Sequence, residues 1–339
     1  MKRRKLKPEL DDSISMFIGL DAHKNYLQST IVDYDGVVMS QERIERSREA
    51  VEEFSNRLPK ARIVIESSSA WRDVYEVLSK RHEVVLSNPV KTKAIASAKV
   101  ETDKVDSLTL AQLLRVGLIP ESYIPPKSVI ELRDLVRYRA SLVRIRATVK
   151  NKIHAYLLMN GLTIEGTPFS KPYMEKLWKI ENYRIQGYLR IIETLNLEIH
   201  EASKIISTEA INNPEAKLLM NIPGISFYSA LLIASEIDDI TRFPDSAHLV
   251  SYAGLTPSTY SSGSVTYHGR ITKAGSSYLR WGLNQCTRAH MRAEPEGDIS
   301  RFYKRLARKK GDAKAIVAAS SKLLKVVYWV LREKRAYRS

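Results

Sequence analysis

The hydrophobic period of this chain changes once, near residue 124, and that change limits the folds open to it. From residue 15 to 123 the apolar residues come in short runs separated by turn residues, whereas from Ser128 onward they recur at spacings of three and four. The first pattern builds alternating strands and helices and the second builds helices alone, so the expected class is α/β plus α. Ser15 to Leu20 and Leu27 to Val32 are β-compatible runs, and the turn signal Tyr34-Asp35-Gly36 leads into Val37 to Ser40. Three adjacent antiparallel strands follow. Ser47 is a candidate N-cap for a helix ending near Leu58, before Pro59. Ile63 to Ile65 and Val84 to Leu86 read as strands on either side of a helix over Trp71 to Lys80. Together these elements predict a mixed sheet whose first three strands form a meander.

Beyond residue 124, Leu132, Leu135, Leu142, Ile145, Val149, Ile153 and Tyr156 mark a helix from Ser128 to Met159. Tyr188, Ile192, Leu195, Ile199, Ala202 and Ile206 alternate steps of four and three, which is the seam of a coiled coil and equally the buried stripe of an ordinary bundle within one chain. The Gly- and Pro-containing segment Gly161 to Pro172 reads as the hinge between two antiparallel helices. The expected division is residues 15–123, a helical spacer over 124–212, and a mainly helical C-terminal domain over 213–339 with a Gly- and Ser-rich stretch from Gly254 to Ser277.

Lys and Arg number 54 against 38 Asp and Glu, a formal net charge of +16 that favours a polyanionic partner. The imbalance is steepest at the end, where residues 301–339 carry 13 Lys or Arg against only Asp312 and Glu333. Such a tail suits phosphate backbones; a solvated surface helix is the plainer alternative. A hydrophobic content of 44% excludes wholesale disorder. No apolar run reaches the roughly 18 residues of a membrane span, so the expected location is the cytoplasm, in association with the nucleoid. Cys286 is the only cysteine, which excludes an internal disulfide and a cysteine-based zinc site within one chain.

Three constellations could carry chemistry. Asp21 follows the strand Ser15 to Leu20 and Glu66 follows Ile63 to Ile65, so if these strands lie side by side both carboxylates emerge at one end of the sheet. Asp103 and Asp106, spaced i and i+3, share one face of a helix that opens there. Four converging carboxylates repel unless a divalent cation neutralises them, and oxygen clusters suit Mg²⁺, two ions of which can clamp the oxygens of a phosphodiester. Helix capping is the ordinary alternative for an Asp at these positions. The second constellation is Tyr260-Ser261-Ser262-Gly263-Ser264 followed by Gly269-Arg270-Ile271-Thr272-Lys273-Ala274-Gly275 and Arg280. A serine beside glycine can approach phosphate closely and the cations can stabilise it, or the stretch is simply a flexible loop. The third, Asn221-Ile222-Pro223-Gly224-Ile225-Ser226, reads as a helix-hairpin-helix turn that could hold phosphate near Gly224, or as a structural αα-hairpin. His23, His154, His268 and His290 show no ligand spacing and read as surface or core residues.

The meander with Asp after its first strand, the strand ending in Glu and the later Asp pair resemble the ribonuclease H-like fold of RuvC-type Holliday-junction resolvases. With the second half included, the chain resembles the transposases of the insertion-sequence one-ten family, the DEDD transposases understood as bridge-RNA-guided recombinases. The resemblance rests on Ile18-Gly19-Leu20-Asp21-Ala22-His23-Lys24, Ile65-Glu66-Ser67-Ser68, and Lys99 with Thr102-Asp103-Lys104-Val105-Asp106. In the second half it rests on Ile222-Pro223-Gly224-Ile225, Tyr252-Ala253-Gly254-Leu255-Thr256-Pro257, Ser262-Gly263, and Gly269 to Gly275 with Leu279-Arg280. It implies that Asp21, Glu66, Asp103 and Asp106 hold the metal and that Ser262 is the nucleophile, with Ser261 the adjacent alternative. It also implies a noncoding RNA partner, donor and target DNA, and a homo-oligomer, dimeric or tetrameric, whose subunits share a composite site. The spacer would then hold subunits together and offer Arg137, Arg139, Arg144, Arg146, Lys150 and Lys152 to nucleic acid, with Arg270, Lys273 and Arg280 doing so from the C-terminal domain. A metal-dependent structure-selective nuclease or resolvase using water, and a nucleic-acid-binding protein without catalysis, are the rival expectations.

Overall fold

A computed structural model describes residues 15–67, 71–96, 102–262 and 265–337, together with all their side chains except those of 260–262, 265, 266 and 268. The chain divides into two compact units, Met1–Ile124 and Pro125–Ser339.

In the first unit, β1 (Met16–Ala22), β2 (Tyr26–Asp33) and β3 (Val38–Glu45) form the antiparallel meander. Next come α1 (Arg48–Arg57), β4 (Arg62–Glu66), α2 (Arg72–Leu78), β5 (Glu83–Ser87), α3 (Pro89–Ile95), α4 (Asp103–Arg115) and the two-residue β6 (Glu121–Ser122). The sheet order is β3-β2-β1-β4-β5-β6, with β1, β4 and β5 parallel. Ser47 caps α1, its hydroxyl accepting from the Ala50 N–H at 3.2 Å, and the helix stops at Leu58, ahead of Pro59. One face of the sheet buries Ile18, Leu20, Ile63 and Ile65 against Phe54, Val74 and Leu78 from α1 and α2. The other buries Phe17, Val32 and Val64 against Leu110, Ala111 and Leu114 of α4. Each such side chain contributes about 1.5–3 kcal/mol, so both layers are strongly fixed.

Gly19 sets how close α4 can come. A Cβ built there would lie 2.0 Å from the Ser107 carbonyl oxygen and 2.6 Å from the Ala111 nitrogen, so the α4 backbone rests directly on β1. Thr30, opposite Gly19 in β2, bonds the Ser107 hydroxyl at 2.8 Å beside the same crossing. The first turn of α4, with Asp103 and Asp106, is thereby held beside the end of β1.

The second unit begins with the long helices α5 (Lys127–Met159) and α7 (Tyr183–Asn212), which pack on each other with the short α6 (Lys171–Trp178) between them in sequence. The expected simple hinge over Gly161 to Pro172 thus contains the start of a third helix. The regular stripe of α7 is used within the chain: Ile185, Leu189 and Ile192 pack with Val149, Ile153 and Leu157 of α5, and Leu195 and Ile199 with Leu142. Ile206 and Ala210 join Val136 in the core of the remaining helices, so the spacer and C-terminal segments share one interior. Those helices are α8 (Pro214–Leu219), α9 (Phe227–Ile237), α10 (Ser246–Tyr252), α11 (Ser277–Ala293), α12 (Asp298–Lys310) and α13 (Asp312–Glu333). Between α10 and α11 the Gly- and Ser-rich stretch forms an antiparallel pair, β7 (Pro257–Ser262) and β8 (Val265–Ile271), where a loop was one of the expectations. No described helix is long and apolar enough to cross a membrane.

Candidate active site

The sheet register delivers the first two acids. β1 and β4 run parallel with Leu20 beside Ile65, so the next residues, Asp21 and Glu66, point out at the same end of the sheet. Asp21 lies inside β1, opposite Gln28, one residue deeper than the strand boundary expected from sequence. Asp103 is the first residue of α4; the cap is Thr102, whose hydroxyl accepts from the Val105 N–H at 3.3 Å, so Asp103 is released from the capping role that sequence left open. Asp21, Glu66, Asp103 and Asp106 all line one cavity of about 260 Å³, together with Thr92 and Lys93 of α3 and Thr109 of α4.

The electrostatics combine burial with the mutual repulsion of neighbouring carboxylates. Burial, and secondarily the negative charge of Asp103 and Asp106, pushes the Asp21 carboxyl above its ordinary range, although His23 opposes this. Glu66 is likewise raised, first by burial and then by Asp21 and Asp106. Asp103 is held low instead, because the Tyr26 hydroxyl donates to it at 2.6 Å. The Arg43 guanidinium lies 3.9 Å above the Tyr26 ring and 3.7 Å from the same carboxylate.

His23 corrects the sequence reading. Its Nε2 lies 3.0 Å from an Asp21 oxygen and 3.4 Å from an Asp103 oxygen, so it sits inside the acid cluster. One ligand atom each from Asp21, His23 and Asp103 falls within a 4.8 Å span. This donor set of carboxylate oxygens with one imidazole fits a divalent cation. Tyr26, Arg43, Thr92 and Lys93 also escaped sequence reasoning. Only the proximity of His23 and Tyr26 to Asp21 in sequence could have signalled two members of the cluster.

In the second unit the serine segment runs along β7, with Ser261 paired to Thr266 and Ser262 to Val265. The side chains of Ser261 and Ser262, and residues Gly263 and Ser264, lie outside the described residues, as do Lys99 and Ser68. The base of the strand pair is closely interlocked. A Cβ on Gly254 would meet the Ala274 carbonyl at 2.3 Å, and one on Gly275 would meet that of Tyr252 at 1.9 Å. Arg280 closes this junction by donating to the carbonyls of Ala253 and Gly275 at 3.1 and 3.0 Å. Arg270 and Lys273 are exposed.

The six cations expected along the spacer divide into two groups. Arg137 is bidentate to Glu236, which is 1% exposed, at 2.8 and 2.9 Å. Arg139 donates to Ser203 at 2.8 Å and lies over the Tyr228 ring at 4.2 Å, and Arg146 bonds Asn196 at 2.6 Å. Lys150 sits over Phe169. Arg144 and Lys152 are exposed. Gly224 adopts φ 89° and a Cβ there would lie 2.3 Å from the His290 nitrogen, which explains glycine in this turn by packing. His290 is buried, as expected, with Nδ1 2.8 Å from the Pro223 carbonyl.

Comparison with known proteins follows the same two blocks. Residues 18–159 match the DEDD transposase model of the IS110 type, and residues 216–304 match the model for transposases of the IS116/IS110/IS902 family. Together the matches take in more than half of the chain. The chain is 26% identical to the Sinorhizobium fredii protein y4qE over 80% of its own length and 70% of the relative's. It is 25% identical to the transposase for insertion sequence element IS1328 of Yersinia enterocolitica, covering 81% and 83%. It is also 26% identical to the pilin gene-inverting protein of Moraxella lacunata, covering 81% of each.

Proposed function

From the premise that the chain belongs to the IS110 family of transposases, which cleave DNA and transfer its strands, we propose that it is the recombinase of an insertion sequence, working through a serine–DNA ester. Its first unit is read as ribonuclease H-like. The observation that carries the reading is the convergence of acids from β1, β4 and α4 on one cavity.

Asp21, Glu66, Asp103 and Asp106 would hold Mg²⁺, as a pair of ions, supplying positive charge to the oxygens of the reacting phosphate. Tyr26 fixes the carboxylate of Asp103 by a hydrogen bond, and His23 Nε2 stands 3.4 Å from it. In the proposed step the Ser262 hydroxyl attacks phosphorus, a phosphoserine ester forms, and one phosphorus–oxygen bond to deoxyribose breaks. The serine proton balances the charge on the departing sugar oxygen, which leaves as a hydroxyl. A second sugar hydroxyl reverses the sequence, regenerating the serine and joining the new strand. Arg270 and Lys273 would face the phosphate, with Arg280 and the Gly224 turn bracing the same unit, and Arg144 and Lys152 would lead the spacer's nucleic-acid face, with Arg139, Arg146 and Lys150 beside them and Arg137 engaged by Glu236.

The partners proposed are donor and target DNA, a noncoding bridge RNA, and further copies of this chain as a dimer or tetramer. The setting proposed is the cytoplasm at the nucleoid. Incubating the protein with element-end DNA and Mg²⁺ and resolving it on denaturing gels tests the chemistry. A protein–DNA adduct that Ser262→Ala abolishes, with DNA binding retained, supports the ester. Cleavage that survives Ser262→Ala without any protein–DNA adduct identifies a nuclease using water, and a surviving adduct assigns the ester to Ser261. RNA sequenced from protein purified with its whole element tests the guide, and finding no specific RNA overturns that part.

A further inference from the structure

Helix α12 carries a second feature, which the acid site and the serine do not use. From Arg301 to Lys310 every exposed position is a cation: Arg301, Lys304, Arg305, Arg308, Lys309 and Lys310. Phe302 and Tyr303, between them, turn toward the core of the unit. The steps from 301 through 304, 305 and 308 to 309 place five of the six on one helical face. At 1.5 Å per residue the stripe runs about 12 Å.

Carboxylates meet it only at its N-terminal end, where Asp298 pairs with Arg301 at 2.6 Å and Glu296 with Lys304 at 2.8 Å. Among the described residues none lies within 4.0 Å of Arg305, Arg308, Lys309 or Lys310. The C-terminal end of α12 favours Arg308, Lys309 and Lys310, but like charges at i and i+4 still repel, and an anionic partner would relieve that repulsion. The flanking ring, Phe302, is covered by Lys322 of α13 at 4.5 Å and by Arg305 at 5.8 Å. A base stacking on this ring, as in single-strand binders, would have to displace Lys322. A straight row of cations without an open stacking platform fits the regular phosphates of a double helix.

We propose that this face of α12 binds the phosphate backbone of a nucleic-acid duplex without reading its sequence. The assignment deepens the recombinase reading by giving it a surface for holding duplex, and it is tested on binding alone. It can therefore fail while the Ser262 adduct is found, and it can hold while the adduct is not.

The full chain is titrated in EDTA with a fluorescent 30-base-pair DNA of arbitrary sequence across a range of salt, with duplex RNA of the same sequence and phosphatidylserine vesicles as parallel arms. The variant combining Arg301→Ala, Arg305→Ala, Arg308→Ala and Lys309→Ala alters exposed side chains only. It should weaken DNA binding by at least about tenfold near 100 mM salt and flatten the slope of log affinity against log salt by up to about 3.6, at roughly 0.9 for each phosphate no longer neutralised. Replacing the three arginines by lysine should restore most of the slope. Loss on both nucleic acids, or on one of them, supports the proposal and assigns the source of the backbone. A slope unchanged within about 0.5, or a loss confined to vesicles, overturns it.

Discussion

The carboxylate cavity draws its side chains from β1, β4 and α4, so that Asp21 and Asp106 meet only because a helix crosses a sheet at Gly19. The β7–β8 pair is local by contrast. Its strands bond each other, and the contacts at its base run from Tyr252 to Arg280 through two glycines and one guanidinium. The first arrangement opens at one end of the sheet, with Asp103 a third exposed, but its supports are set in two layers of core and resist rearrangement. The second reaches outward, with Tyr267 exposed on β8, and is tied at its root. A site that must bring like charges together needs long-range packing to oppose their repulsion, whereas a strand that offers a hydroxyl needs only a firm base.

Gly19→Ala should break the first arrangement most severely. The added methyl would press on the Ser107 carbonyl and the Ala111 nitrogen, which are backbone and cannot turn aside, so the expected loss is about 2–3 kcal/mol of stability. DNA cleavage should disappear even where circular dichroism shows the chain still folded, because the first turn of α4 is displaced. Full activity in a folded Gly19→Ala protein would show that the crossing does not set the site.

Arg280→Met should act on the second arrangement alone. Two charge-assisted bonds to the Ala253 and Gly275 carbonyls disappear at a partly exposed position, at a cost of about 1–2 kcal/mol. Limited proteolysis should then cut within residues 254–275 faster than in the parent, with divalent-cation binding unchanged. A simultaneous loss of cation binding would mean that the two regions are not independent in the way their separate packing implies.

The smallest expected effect concerns the far end of the same sheet, where β4 and β5 begin. His82 is buried, accepts from the Ala61 N–H at Nδ1 (3.3 Å), and has Nε2 3.2 Å from the Ser55 carbonyl, an arrangement that requires the neutral ring. Burial lowers its proton affinity, so the unfolded chain takes up the proton first as the pH falls. This contribution is complete above the unfolded value near 6.5 and declines below it, by at most about 1.4 kcal/mol down to pH 5.5. His82→Gln should flatten the dependence of melting temperature on pH in that range. An unchanged slope would assign acid sensitivity to other groups.

Much of this was legible in the sequence because the relevant signals are local. Ser47 before a helix and the turn at Tyr34-Asp35-Gly36 announced the meander and α1, whereas the parallel pairing that aligns Asp21 with Glu66 is only a condition in the sequence, because β2, β3 and α1 lie between those strands. What escaped depends on distance or on masking. Gly19 looks neutral until Ser107 is known to cross it. The partner of Arg137 is Glu236, on another helix, so sequence could place the cation on a helix but not show that it is already paired. His23 lacked any spacing to a second histidine because its partners are carboxylates. The β7–β8 pair was hidden by serine and glycine, although Thr259, Tyr260, Thr266 and Tyr267 are strand-favouring residues on either side of the turn.

The central claim is that four acids distant in sequence form one cation site, and Mn²⁺ titration of the full chain by calorimetry tests it most directly. Saturable binding that weakens at least about tenfold in Asp21→Asn and again in Asp106→Asn, with both variants folded, is the predicted result. Mn²⁺ binding that is absent in the parent, or equally tight in both variants, would contradict it.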